Sequence, residues 1–316
     1  MQEISCIFCG KPSDHVAITE NGYTGRKCQD CNLIFISPRP SSNEIKQLYT
    51  DDNAVLYADA QFKFDRFKRM AAVSTLEKIS DYRKDGSLLE LGPGGGSFLQ
   101  EARNRGYESY GIELNPIEAR WINENLHIPC ENVALSEESF NGMKFDIIYH
   151  QDVLSHLYDP IASLNDMNRA LKKDGLLIFE TGNIADVDES YYKYFSQFSY
   201  PDHLFFFGEH SLNQLLEQAG FKPICIIRES IWLQLLLQKA LWGMKDSLKD
   251  KRILDDMKMD SNVSSEGVGL SFKRFIRLLY RYVSYYLIKL GRILPKNGRP
   301  LKLIVVAQKN SELSSS

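Results

Sequence analysis

Four cysteines come in two doublets, Cys6-Ile7-Phe8-Cys9 and Cys28-Gln29-Asp30-Cys31. Two residues between paired cysteines let one tight turn aim both sulfurs at a single ion. Two such turns complete a tetrahedron, so Cys6, Cys9, Cys28 and Cys31 are the expected ligands of a structural Zn2+. With all four positions filled by the chain, no place is left for a reacting water. Gly10 and Asn32 follow the two doublets, and each suits a turn that needs positive φ. Cys130 and Cys225 are solitary in apolar runs and read as core residues.

A second chemical signal is Glu90-Leu91-Gly92-Pro93-Gly94-Gly95-Gly96. Glycines let the backbone approach a ligand closely at the end of a strand. A dinucleotide loop, G-x-G-x-x-G, would need glycine where Ser97 stands. The pattern here is E-x-G-x-G-x-G. Glu113 ends the next apolar run, and a carboxylate there can accept both hydroxyls of a ribose. Loop and carboxylate together point to an adenosine-type ligand. For proton transfer the candidates are His150, His156, His203, Glu209 and His210. His203 stands out because it sits in the loop Tyr200-Pro201-Asp202-His203-Leu204. Nine Tyr or Phe residues in 191–207 read either as a pocket lining or as a lid over the core.

The elements that must hold these groups alternate. Apolar runs at SLLELG, YESYGIEL, IPCENV, KFDIIYHQ, GLLIFET, KPICIIRE and LKLIVVAQK read as strands. Helical patterns at FLQEARNRG, Pro116 to Leu126, Ile161–Leu171 and SLNQLLEQAGF lie between them, the last with Ser211 as cap and Gly220 as stop. Such alternation implies a mostly parallel, doubly wound α/β sheet. Ahead of it, Leu33–Ile36 reads as a short strand, and Ser41 with Glu44 starts a helix. Residues 62–80 form an amphipathic helix with Phe64, Phe67, Ala71 and Ile79 on one face.

LLELGPGGGSFL, GIELNP, FDIIYHQDVLSHLYDP, ALKKDGLLIFET and HLFFFGEHSLNQLLEQAGF together resemble class I S-adenosylmethionine-dependent methyltransferases. The resemblance covers residues 86–230 and the final strand. With the N-terminal zinc ribbon, the chain resembles methyltransferases of sugar, polysaccharide and natural-product pathways. It implies a Rossmann-like seven-stranded sheet whose last strand is antiparallel. It also implies roles: Gly92, Gly94 and Gly96 along the amino-acid part of the cofactor, with Glu90 near its ammonium. Glu113 would hold the ribose, Val133 and Ala134 would flank the adenine, and Gln151 would border the methionine part. Where such enzymes commonly carry Glu-His after strand four, this chain has Ser155-His156.

The 316 residues are enough for about two domains, and 43% apolar residues supply a core. A net charge of −3 argues against a nucleic-acid partner. The N-terminus does not read as a signal peptide and no long apolar run spans a membrane, so a cytoplasmic enzyme with reduced cysteines is expected. The expected organisation is a ribbon over 1–40, a helical connector over 41–85, a methyltransferase domain over 86–230 plus 301–310, and a helical basic insertion over 231–300. No acidic residue occurs between Glu266 and Glu312, whereas Lys273, Arg274, Arg277, Arg281, Lys289 and Arg292 are among the cations there. The stretch 272–302 reads as an anionic-membrane or anionic-substrate surface, or as a helix packed on its own domain with a solvated basic face. The expected activity is methyl transfer to a sugar or glycan-pathway acceptor, nucleotide-linked or lipid-linked. Its alternatives are a small aromatic or quinone-like acceptor, and a non-catalytic zinc-ribbon binding module on a Rossmann-like scaffold.

Overall fold

The computed structural model describes residues 1–47, 54–55, 58, 65–246, 279, 282–294 and 296–310. Lys273, Arg274, Arg277 and Arg281 of the basic stretch, and Phe64, lie outside the described residues.

The N-terminal strands β1 (Val16–Glu20), β2 (Tyr23–Lys27) and β3 (Ile34–Ile36) form an antiparallel meander. Helix α1 (Ser42–Gln47) follows. Ser41 and Glu44 start it as the sequence implies: the Ser41 N–H donates to the Glu44 carboxylate, and the Glu44 N–H donates to the Ser41 hydroxyl. Helix α2 (Asp65–Ser80) leads into the main domain. Its buried stripe is Ala72, Thr75, Leu76 and Ile79; Phe67 and Ala71 are only partly covered, which shifts the inward face from the expected one.

The main sheet contains β4 (Ser87–Leu91), β5 (Glu108–Ile112), β6 (Cys130–Glu131), β7 (Phe145–Gln151), β8 (Leu171–Gly182), β10 (Phe221–Ser230) and β11 (Leu301–Lys309). The order is β10-β11-β8-β7-β4-β5-β6. Strands β4 to β8 pair in parallel, and β11 runs antiparallel to both β8 and β10. This is the expected seven-stranded fold with an antiparallel last strand. All five residues of β4 are buried, as a central strand covered on both faces requires. The run IPCENV yields only two strand residues, because β6 is an edge with one neighbour.

Helices α3 (Ser97–Asn104), α4 (Pro116–Trp121), α5 (Pro160–Ala170) and α6 (Glu209–Gln218) make the crossovers. Asn115 and Asp159 cap α4 and α5, each followed by proline at the first helical position. Ser211 is not the cap of α6. It sits at the third helical position, and its hydroxyl accepts the Gly208 N–H. Helix α7 (Trp232–Asp246) opens the insertion between β10 and β11.

A further strand, β9 (Phe205–Phe206), pairs with β3 rather than with the main sheet. The N-terminal module is therefore a four-stranded sheet, β1-β2-β3-β9, completed by the main domain. One continuous core joins Cys6, Cys28, Cys31 and Leu33–Ile36 to Phe205–Phe207, Leu212 and Leu303. A second core on the other sheet face holds Leu76 and Ile79 against Leu88, Phe98, Ile147 and Ile304. Among the described residues, no helix is long and apolar enough to cross a membrane.

Candidate active site and metal centre

Strand order reverses at β4, whose neighbours are β5 and β7. Ligands in doubly wound folds bind beyond the carboxyl ends of the strands at such a switch point. The glycine loop follows β4 directly. Gly92, Gly94 and Gly96 all have positive φ, at 66°, 54° and 76°. A Cβ on Gly96 would lie 2.6 Å from Leu126 Cδ1, and one on Gly92 would lie 2.9 Å from Val153 Cγ2. Both backbone angle and space demand glycine at these two positions.

Two carboxyls flank this loop. Glu113 is buried, and each of its oxygens accepts a backbone N–H, one from Gly94 and one from Asn115, both at 2.9 Å. Glu113 thus ties the glycine loop to the end of β5. Burial pushes its carboxyl up, and the backbone donors work against that. Glu90 is only 5% exposed, and its Oε2 has no hydrogen-bond partner. Burial, then the nearby Glu113, pushes Glu90 well above the usual carboxylate range, while Lys68 of α2 opposes the shift. A buried carboxyl with an unanswered oxygen suits a cationic ligand group. Sequence reasoning missed a third carboxyl, Glu118 of α4. It is buried, its Oε1 is unpaired, and burial, then Glu113, pushes it up to about 8. Val133, Ala134 and Gln151 are exposed at the carboxyl ends of β6 and β7.

The histidines divide. His150 is fully buried and stacked on Phe179, with ring centroids 5.0 Å apart. Neither ring nitrogen has a partner, and burial lowers its pKa to about 3. Glu209 forms a bidentate pair with Arg228, and His210 is exposed. His156 and His203, by contrast, come together, with ring centroids 4.6 Å apart. Asp202 joins them: its Oδ1 is 3.1 Å from His156 Nδ1. His203 Nδ1 is buried without a partner. Burial, then His156, lowers the His203 pKa to about 4. For His156, burial acts downward, but the bond and charge of Asp202 win and raise it. Two imidazoles and a carboxylate so placed can take a proton or hold a cation. The sequence signal for Asp202 was its place directly before His203.

Local structure fixes this group. The Leu204 N–H donates to Ser155 O at 2.7 Å, which clamps the loop to the turn after β7. From the N-terminal module, the Glu20 carboxylate accepts the N–H groups of Phe198 and Tyr200, and Asn21 donates to Tyr200 O. Four of the nine aromatic residues are used here: Tyr200 and Phe205–Phe207 are buried in the core that joins module and main domain, as a core-covering lid would be, and the other five are partly exposed.

In the N-terminal module, Cys6 Sγ lies 3.5 Å from Cys31 Sγ, and Cys9 Sγ lies 3.7 Å from Cys28 Sγ. Ligands of one tetrahedral zinc at 2.3 Å stand about 3.8 Å apart. Cys6, Cys9 and Cys28 offer sulfurs all within 4.8 Å of one another. Gly10 and Asn32 take φ of 70° and 61°, and their N–H groups donate to Cys6 O and Cys28 O. The two turns are those the spacing implies. An open pocket of about 630 Å³ lies where this module meets the segment after β8, lined by Lys27, Asn32, Asp186, Asp188 and Glu189 among others.

The family model of a methyltransferase domain matches residues 62–226, just over half of the chain. A tRNA (guanine-N(7)-)-methyltransferase of Mycoplasmoides gallisepticum is 31% identical over 145 residues, 40% of this chain and 67% of that protein. A tRNA U34 carboxymethyltransferase of Campylobacter jejuni subsp. jejuni is 27% identical over 192 residues, 55% of this chain and 65% of that protein. The chain thus spans about two thirds of the length of these curated relatives. Their names weigh against the expectation that no nucleic acid is involved. Among solved structures, the 1,6-didemethyltoxoflavin-N1-methyltransferase of Burkholderia thailandensis, with bound S-adenosylhomocysteine, superposes with a TM-score of 0.51. That match covers 93% of this chain and 99% of the other at 14% identity, a likeness of fold.

Proposed function

Because the chain belongs to the methyltransferase-domain family and is a class I S-adenosylmethionine-dependent methyltransferase, we propose that it methylates a hydroxyl-bearing small acceptor of the sugar or glycan-pathway type. Glu90 carries the cofactor end of this reading. Its unpaired oxygen at the end of β4 is where the cofactor's ammonium finds a buried acceptor. The Gly92–Gly96 loop gives the backbone its close approach, and Glu113 keeps that loop in place while retaining lone pairs for the ribose. The cofactor supplies an activated methyl group. The chain supplies alignment, exclusion of water and activation of the acceptor. We assign activation to His156, Asp202 and His203, with His150 part of the wall.

Acidic and amide side chains at Asn32, Asp186, Asp188 and Glu189 support a polyhydroxyl acceptor, since carboxylates and amides accept hydroxyl hydrogens. We further propose that the four cysteines hold a structural Zn2+, and that the cations of 272–302 serve a lipid-linked acceptor at the inner membrane face. A second reading, a tRNA nucleotide as acceptor, is favoured by the named relatives. Label transfer from tritiated S-adenosylmethionine into a nucleotide-sugar pool, compared with bulk tRNA, decides between them. Label found in tRNA alone defeats the sugar reading. Unchanged cofactor affinity in Glu90→Gln, measured by calorimetry, defeats the site assignment.

A further inference from the structure

We propose that His156, Asp202 and His203 form a binding site for one divalent first-row metal ion that prefers nitrogen and oxygen ligands. The inference rests on reading this group as the acceptor-activating one.

Their three donor atoms all lie within 4.8 Å of one another. Three ligands bound at about 2.1 Å to one ion span about 3–4.2 Å, so small side-chain rotations close the set. Two imidazoles and one carboxylate on one side leave the remaining coordination places open, as in metal sites that bind a substrate directly. The backbone is already fixed for this. His203 N donates to Ser199 O at 3.0 Å, and Leu204 N donates to Ser155 O at 2.7 Å. The carboxylate of Glu20 holds the near side of the loop through Phe198 and Tyr200.

His203 Nδ1 gives an independent indication. It is buried and lacks a hydrogen-bond partner. Leaving a polar atom so costs free energy unless a ligand answers it. An ion coordinated there would answer it. The Nδ1 of His156 is held by Asp202 at 3.1 Å. On metal binding that bond gives way: Nδ1 releases its proton to solvent and both atoms turn to the ion.

The Cys6, Cys9, Cys28 and Cys31 set is a separate site with a different preference. Zinc also binds imidazole and carboxylate, but four thiolates hold it more tightly, so one equivalent of Zn2+ fills the cysteine set first and leaves the two imidazoles and the carboxylate open to an ion such as Mn2+. An acceptor hydroxyl that joins the ion becomes more acidic. Its proton leaves to solvent. The oxygen then forms its bond to the methyl carbon as the carbon–sulfur bond breaks, and the electron pair stays on sulfur. No oxidant or reductant enters.

The test is a Mn2+ titration of the full-length protein, first given one equivalent of Zn2+ to occupy the thiols. Free Mn2+ is read by electron paramagnetic resonance. We expect one Mn2+ per chain in the wild type, weakened about tenfold or more by Asp202→Asn and by His203→Gln. Glu90→Gln should keep Mn2+ while losing S-adenosylmethionine, so failure of the cofactor reading shows separately from failure of this one. Absence of Mn2+ uptake by the wild type at millimolar concentration overturns the proposal. So does uptake that neither Asp202→Asn nor His203→Gln alters.

Discussion

Three carboxyls converge at the cofactor end of the sheet, and the environment of each differs. Glu113 is answered by two backbone donors, whereas Glu90 and Glu118 each carry one buried oxygen without a partner. Burial, then repulsion from Glu113, raises Glu118 from 4.5 to about 8. Between those values the unfolded chain has lost a proton that the folded chain still holds. Stability from this group is therefore full below pH 4.5 and falls as pH rises toward 8. At about 1.4 kcal/mol per pH unit, the loss between pH 4.5 and pH 8 is on the order of 5 kcal/mol. Glu118→Gln removes the titration. Its melting temperature should fall less than that of wild type between pH 5 and pH 8, and parallel melting curves would refute the assignment. Glu113→Ala should loosen the Gly94 turn as well as remove the proposed ribose acceptor, so calorimetry should show S-adenosylmethionine affinity reduced by tenfold or more, roughly 1.4 kcal/mol. Glu113 was legible because it ends a strand after a glycine loop. Glu118 was not. An acid in the first turn of a helix looks like an ordinary partner of the helix dipole, and only the packing of α4 against its neighbours buries it.

The N-terminal module and the loop at 199–204 act as one element. Strand β3 donates and accepts across β9, and the β1–β2 turn holds Phe198 and Tyr200. With the proposed zinc in the four cysteines, its loss should travel beyond them. In Cys28→Ser, or after chelation, amide exchange should rise in residues 199–207 as well as in the ribbon. Turnover should fall because His203 and Asp202, the proposed activating groups, are carried on that loop, while cofactor affinity should change less than about threefold. Exchange confined to residues 1–40 would show that the module is mechanically separate. Gly25 belongs to the same joint, since a Cβ there would lie 1.9 Å from Tyr200 Oη. The doublets and their turns were legible because each turn is local in sequence. The pairing of Ile34 with Phe206 was not. A two-residue strand has no periodicity to read, and its partner lies far along the chain.

At the scale of the whole molecule, the antiparallel pair β10–β11 forms despite the seventy residues between its strands. The alternation of strands and helices made the parallel part of the sheet legible. The antiparallel last strand came from the family resemblance. Neither revealed how the insertion returns to the sheet. A buried charge network does this. Glu229 of β10 is 3.0 Å from Lys78 of α2, 2.8 Å from Arg292 and 3.8 Å from Lys302 of β11. Lys302 also meets Glu180 of β8 at 2.6 Å, and Thr75 of α2 donates to Glu180. Burial alone would raise the Glu229 carboxyl, but Arg292, Lys302 and Lys78 together hold it below its usual range. One helix, three strands and the residues after 282 thus depend on two acidic side chains. Removing one partner of a buried pair leaves the other charge uncompensated. Glu229→Ala should cost about 3–5 kcal/mol, seen as a lower urea midpoint. Replacing both sides with apolar groups should cost less than the separate losses combined. In a double-mutant cycle, Glu229→Leu with Lys78→Met should show a favourable coupling of about 1–3 kcal/mol. Additive single effects, or a Glu229→Ala protein within about 0.5 kcal/mol of wild type, would mean that apolar packing of the strands, and not this network, holds the insertion to the sheet.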